Sequence, residues 1–304
     1  MSNDPLLPNL IIDTDFETDC DDAGALAVAH ALADAGVINL LAVNASVNSP
    51  LPALGVAALN AAFGRRTLPV GCNTSCADTP EYNAHRDKMP GMLYHYKLAE
   101  VFPASENSII SSKELYLDIL NASPDNSVTI CAIGLLTSIA ELIEDGHLDL
   151  LHRKVKALYT MANADCPAGR DCFNWVMNRS AAAAVLNNFR NRIVVSSAGS
   201  DVLTSAGTGS SAGRNILKCA YTSMGCGNEN YQRSSWDQIT VLAAAGMLDE
   251  YTEVSGAGFI SFDASSGEHS FTPDENGNFH FLMQSSTSEL LAGYVQSWMD
   301  KACR

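Results

Sequence analysis

The chain has 304 residues, 47% of them hydrophobic and 17% charged, with a formal net charge of -16. That composition supplies a large buried core and argues against binding to nucleic-acid phosphates or anionic membrane surfaces, both of which select for basic proteins. No apolar run approaches the roughly 20 residues that span a bilayer, and Met1–Pro5 carries neither a basic region nor a long apolar stretch, so a cytoplasmic protein is expected unless a leader has been removed.

Apolar runs alternate with helical patterns from the start. Leu10–Ile12 reads as a buried strand and Ala23–Ala35 as an Ala-rich helix, followed by a strand at Ile38–Val43 and a helix at Leu51–Ala62. A short third strand, Leu68–Gly71, leads into a polar stretch through Pro90, expected as a long loop of the kind that covers active sites. The alternation resumes with a helix around Ser112–Leu120, strand Ser127–Ile133, helix Leu136–Glu144, strand Val155–Met161, helix Arg179–Asn188 and strand Arg192–Val195. Beyond it come a Gly/Ser/Thr-rich stretch at Ala198–Gly213, a helix near Ala212–Tyr221, a polar loop at Gly225–Ser235 and a helix at Ser235–Ala245. Short alternating segments with turn signals over Tyr251–Phe281 precede a terminal helix at Ser286–Met299. The pattern predicts an α/β chain: an open, mostly parallel sheet flanked by helices, Rossmann-like at its core, with a small C-terminal antiparallel appendage, all in a single domain over residues 1–304. The nine cysteines are scattered and odd in number, which fits free, mostly buried thiols.

The first strand runs directly into six acidic side chains, Asp13, Asp15, Glu17, Asp19, Asp21 and Asp22. Two like charges 4 Å apart repel by about 4 kcal/mol at an effective dielectric of about 20, so such a cluster needs solvent, protons or a cation. All-oxygen ligands favour a hard ion, Ca²⁺ or Mg²⁺, over zinc. An EF-hand register fails, since a loop starting at Asp13 puts Thr18 where glycine is required and Gly24 where the bidentate Glu belongs. Asp13-Thr14-Asp15 also fits a haloacid-dehalogenase-like, Mg²⁺-dependent phosphatase with Asp13 as nucleophile, but that reading leaves Asp21-Asp22-Ala23 without a role.

Asp13-Thr14-Asp15, a loop, then Asp21-Asp22-Ala23 opening an Ala-rich helix resembles the signature of the nucleoside hydrolases, Ca²⁺-dependent enzymes that cleave the N-glycosidic bond of ribonucleosides. Family members usually place three residues between the two halves of the motif, where this chain has five. Ile133-Gly134-Leu135-Leu136-Thr137 is similar to the family's strand-to-helix turn, Ser235-Trp236-Asp237 to its C-terminal metal segment, and Cys172-Phe173-Asn174 to its ribose-binding segment. The resemblance implies Ca²⁺ held by Asp15, Asp22, the carbonyl of Ile133 and Asp237. It also implies Asp15 as general base, Asp21, Asn174 and Asn48 as ribose contacts, and Asp13 as a support beneath the ligands. Its implied partner is a small nucleoside or N-riboside, and relatives are commonly dimers or tetramers.

Several positions depart from the family pattern. Trp236 stands where many members have the His that protonates the leaving base; an indole can only stack on it. Cys172 replaces a Glu that reads the 5′-hydroxyl, with Asp171 beside it as a substitute, and Asn178 stands where Asp is frequent. His85 and Tyr231 are the remaining candidates for the acid. These departures keep a third function open beside hydrolase and phosphatase, a non-catalytic protein that binds a riboside.

Overall fold

The computed structural model describes residues 7–17, 19–88, 94–101, 109–207, 211–224 and 232–303. Its centre is strand β1 (Asn9–Thr14), paired in parallel with β2 (Asn39–Ala45) on one side and β5 (Val128–Ala132) on the other. Beyond β2 lie β3 (Val70–Cys72) and β4 (Ile109–Ser111); beyond β5 lie β6 (Val155–Met161), β8 (Arg192–Ser196) and β14 (Phe279–Gln284), every pairing again parallel. The chain therefore winds outward from β1 to β4 and then restarts at β5 on the opposite side of β1. In an open parallel sheet such a reversal leaves a crevice outside the carboxyl ends of the two strands that flank it. Here those are the ends at which Asp15 and Ile133 follow.

Parallel strands buried on both faces need helices on both faces. Leu10 and Ile12 point into a core built with α1 (Asp21–Asp34), α2 (Pro50–Ala62), α9 (Ala212–Ser223), α10 (Trp236–Ala244) and α11 (Ser288–Ala302). Ile11 points into the other, built with α5 (Ser112–Ala122), α6 (Thr137–Glu144), α7 (Leu148–Lys154) and α8 (Arg179–Leu186). Helix α1 is buried from Asp21 to Leu32 and, between its two N-terminal acids and His30, is apolar on every face, as a central helix must be.

The antiparallel appendage is present but continues the main sheet. β12 (Gly258–Phe262) and β13 (Glu268–Pro273) form a hairpin extended by β7 (Ala168–Arg170), while β11 (Thr252–Val254) pairs antiparallel with β14. Its last strand, β14, lies parallel to β8, so the parallel sheet reaches past residue 196. A separate ribbon joins β9 (Leu203–Thr204) to β10 (Arg233–Ser234).

Helix α3 (Pro80–Lys88) occupies part of the stretch read as loop through Pro90, and α4 (Tyr94–Val101) lies beyond it, where no element was expected. α3 buries only Tyr82, so apolar periodicity cannot announce it. Its start is nonetheless encoded: Thr79 accepts a hydrogen bond from the Tyr82 amide at 3.2 Å and Pro80 takes the first helical position. The eight described cysteines are all free. Among the described residues no helix is long and apolar enough to cross a membrane.

Candidate active site

Asp13, the last but one residue of β1, is sealed beneath the crevice. Its carboxylate accepts from Tyr116 Oη at 2.5 Å and from Asn44 Nδ2 at 3.0 Å, and burial pushes its pKa up to about 7 despite those donors. Asn44 is itself fixed by Ser138 and Ser112. A fully buried carboxylate with both neighbours in place cannot attack a phosphorus atom, which removes the phosphatase reading.

The turn after β5 lies directly on the end of β1. The Ile133 amide donates to the Asp13 carbonyl at 2.7 Å, and a Cβ on Gly134 would stand 2.3 Å from the Asp15 nitrogen. Only glycine allows that approach. Gly134→Ala is expected to cost about 1–3 kcal/mol, the usual range for overpacking a filled site. An unchanged urea midpoint would contradict this contact.

α1 and α10 meet the crevice with their N-termini, which favour acidic side chains electrostatically. The two helices pack so closely that a Cβ on Gly24 would lie 2.3 Å from Gln238 Nε2. This approach brings Asp21 and Asp22, at the start of α1, to Asp237, at the start of α10, with carboxylate oxygens of all three within 4.8 Å of one another. Asp15 is not one of the three, although it is the largest charge influence on Asp22; the second Asp22 anchor is the Thr14 hydroxyl, which donates to it. All four carboxylates are at most 5% exposed. Burial, then repulsion from neighbouring acids, Glu17 and Asp19 among them, pushes Asp15 up to about 8 and Asp21, Asp22 and Asp237 well above the usual carboxylate range. Carboxylates, with the Ile133 carbonyl at the same crevice, form an all-oxygen donor set that fits a hard divalent cation.

Asn174 reaches the crevice from the segment before α8. Its Nδ2 donates to the carbonyls of Ile133 and Met161, each at 3.1 Å, which leaves the side-chain oxygen as its acceptor. Asp171 holds that segment in shape by accepting from the amides of Asn163, Phe173 and Trp175. With its lone pairs so engaged it organises the turn and does not replace the 5′-reading Glu. Cys172 is exposed, and Asn178 caps α8 through the Ala181 amide. Asn48 lies at the surface, its Nδ2 on the Cys76 carbonyl at 2.9 Å. Trp236 is half-buried beside Asp237, its indole N–H on Ser200 and the Arg233 guanidinium 5.0 Å from its ring. His85, on α3, sets its ring 4.8 Å from that of Phe173, and burial lowers its pKa, which suits a proton donor poorly. Tyr231 lies outside the described residues.

Sequence reading missed the partners of the two remaining acids. Glu17 is almost fully buried and receives Arg86 through two nitrogens, at 2.8 and 2.9 Å, and Tyr82 Oη at 2.7 Å; Arg86 also holds Asp78 at 2.7 Å. Asp19 receives Arg233 through Nε and Nη2. The only available signal was arithmetic: two acids beyond the Asp-x-Asp and Asp-Asp pairs, needing cations that nothing local supplies.

A family model described as inosine-uridine preferring nucleoside hydrolase matches residues 10–260. Solved structures share the fold at low identity. The type III effector protein XopQ, in complex with adenosine diphosphate ribose, is 14% identical with a TM-score of 0.74, over 99% of this chain and 96% of that one. The plant nucleoside hydrolase PpNRh1 is 17% identical with a TM-score of 0.70, over 98% and 99%. A purine-preferring ribonucleoside hydrolase from Gardnerella vaginalis is 13% identical with a TM-score of 0.69, over 97% and 98%. No curated protein matches the chain.

Proposed function

Because the chain belongs to the inosine-uridine preferring nucleoside hydrolase family, we propose that it hydrolyses the N-glycosidic bond of a ribonucleoside or related N-riboside, giving free base and ribose, with Ca²⁺ as its metal. The observation that carries this reading is the convergence of Asp21, Asp22 and Asp237 beside Asp15 in a buried crevice at the topological switch point. Asp15, Asp22, Asp237 and the Ile133 carbonyl would hold the ion; the carbonyl has a second lone pair beyond the one Asn174 uses. When bound, Ca²⁺ makes water easier to deprotonate and anchors sugar hydroxyls through its high, irregular coordination.

Asp15 takes the proton of the attacking water as general base. The water oxygen bonds to the anomeric carbon as the C–N bond breaks, and the electron pair leaves with the base, which takes up a proton from solvent. The buried carboxylates stabilise the positive charge that develops on the sugar ring. Asp21, the Asn174 oxygen and Asn48 accept from ribose hydroxyls, while Asp13 fixes the end of β1 from below. Trp236, where many members of the family have a His, offers the leaving group a flat surface.

The test is a reducing-sugar assay of the Ca²⁺-loaded protein on purine and pyrimidine ribosides and on p-nitrophenyl riboside, whose leaving group needs no protonation. Release of ribose is expected, with p-nitrophenyl riboside the fastest substrate. A second reading, a riboside-binding protein without turnover, is favoured by Trp236 and Cys172 and by the fold shared with XopQ, a protein solved with adenosine diphosphate ribose. Saturable riboside binding with no ribose released from any substrate would establish it in place of hydrolysis.

A further inference from the structure

The stretch between Asp15 and Asp21 carries two extra acids that the proposed cation does not need, and each is fastened to a different part of the fold. Glu17 is tied to α3 through Arg86 and Tyr82. Asp19 is tied to β10 through Arg233, three residues before Trp236 and four before Asp237. The two arginines come from different elements, α3 and β10, and neither contacts Asp21, Asp22 or Asp237 by a hydrogen bond among those described.

We propose that Arg233 and Arg86 are positioning residues for the cation site: through Asp19 and Glu17 they stake the lengthened loop, and so set where Asp15 on one end and Asp21 and Asp22 on the other present their oxygens. The inference rests on reading the carboxylate cluster as a cation site. A loop of five residues between two ligand pairs has conformational freedom that a three-residue link lacks, and ligand geometry is held only as well as its supports. A bidentate Arg–carboxylate pair fixes both distance and plane, which a lysine cannot do. Arg233 has a second hold, its guanidinium against the Trp236 ring, so one side chain ties the loop before α1 to the first turn of α10.

This role and a purely electrostatic one predict opposite signs. If Arg233 acted only as a charge, Arg233→Ala would remove a positive group from beside the cluster and tighten Ca²⁺ binding. If it positions, the same change weakens binding, by about 10–100-fold as for other residues that orient metal ligands. Arg86 is the poorer probe, because its loss leaves Glu17 buried without its cation. Arg233 and Asp19 are both partly exposed, so their variants are expected to fold.

The experiment is calorimetric titration of Ca²⁺ into chelator-stripped full-length protein for wild type, Arg233→Ala, Arg233→Lys, Asp19→Asn and the Arg233→Ala/Asp19→Asn double variant, each checked by thermal melting. Weaker binding in both single alanine and asparagine variants, with the double variant no weaker than either, supports the clamp; Arg233→Lys should recover only part of the loss. Unchanged or tighter binding in Arg233→Ala, or additive losses in the double variant, overturns it. Wild-type protein that takes up no Ca²⁺ overturns both the clamp and the cation site beneath it.

Discussion

Asp15→Asn is expected to lower riboside hydrolysis by about 10²–10⁴-fold, the range supplied by general acid–base groups, while raising the melting temperature of the chelator-stripped protein. The two effects share one cause. Asp15 is 5% exposed and its environment opposes its charge, first through burial and then through the charges of Glu17, Asp19 and Asp13. Without a cation, the folded protein must protonate that carboxyl or bear its repulsion, whereas the unfolded chain does neither. An amide of nearly the same shape removes the charge and keeps the packing. It also removes the base and one proposed ligand oxygen's charge, which is why hydrolysis falls. Rates at saturating Ca²⁺ and melting curves in excess chelator check the two halves separately. An unchanged rate would end the assignment of Asp15 as base, and a lower melting temperature in chelator would show that the cluster is not electrostatically strained.

The fold was legible where burial is two-sided. Val155–Met161 and most of the longer strands and helices before it show the alternation of a parallel α/β sheet because the strands are apolar on both faces and the helices must cover them. α3 was not legible, because its stability comes from Tyr82 and from Arg86 reaching Glu17, 69 positions earlier, and a helix held by one ring and one ion pair has no stripe. β14 was read into the antiparallel appendage because it follows a hairpin; its parallel pairing with β8 depends on where the chain returns, which local pattern does not encode. Within the site, Asp13 to Asp22 could be read because they are contiguous. Asp237 could be placed only by the order of family-like segments. The Asp19–Arg233 pair spans 214 positions, and a lone arginine in a polar loop announces nothing about its partner.

The metal-free protein is expected to lose stability as pH rises from about 6.5 to 8, and Ca²⁺ is expected to restore it increasingly over the same window. Asp13 sits at about 7 and Asp15 at about 8 in the folded state, against 3.8 for the free side chain, burial being the main cause in both. Between those values the folded protein holds protons that the unfolded chain has already released. The stabilising contribution is therefore complete below about pH 4 and is lost as pH passes through 7 and 8, with a slope of up to about 1.4 kcal/mol per pH unit for each such group. Asp21, Asp22 and Asp237 shift in the same direction and add to the same sign. His30 and His95 act oppositely: burial lowers both to about 4, so the unfolded chain binds the extra proton and stability rises with pH from about 4 to 6.5. The two histidines offset only part of the slope of the five carboxyls below 6.5 and fall silent above it, so the interval to pH 8 reports the carboxyls alone. A cation competes with the protons for the same oxygens, so the gap between Ca²⁺-loaded and stripped melting temperatures should widen from pH 6.5 to 8. Melting in chelator and in Ca²⁺ across that interval measures it directly. A stripped protein whose stability holds or rises there would mean that the clustered carboxyls are already ionised and reconciled without a metal, and the case for a cation in the crevice would lose its physical basis.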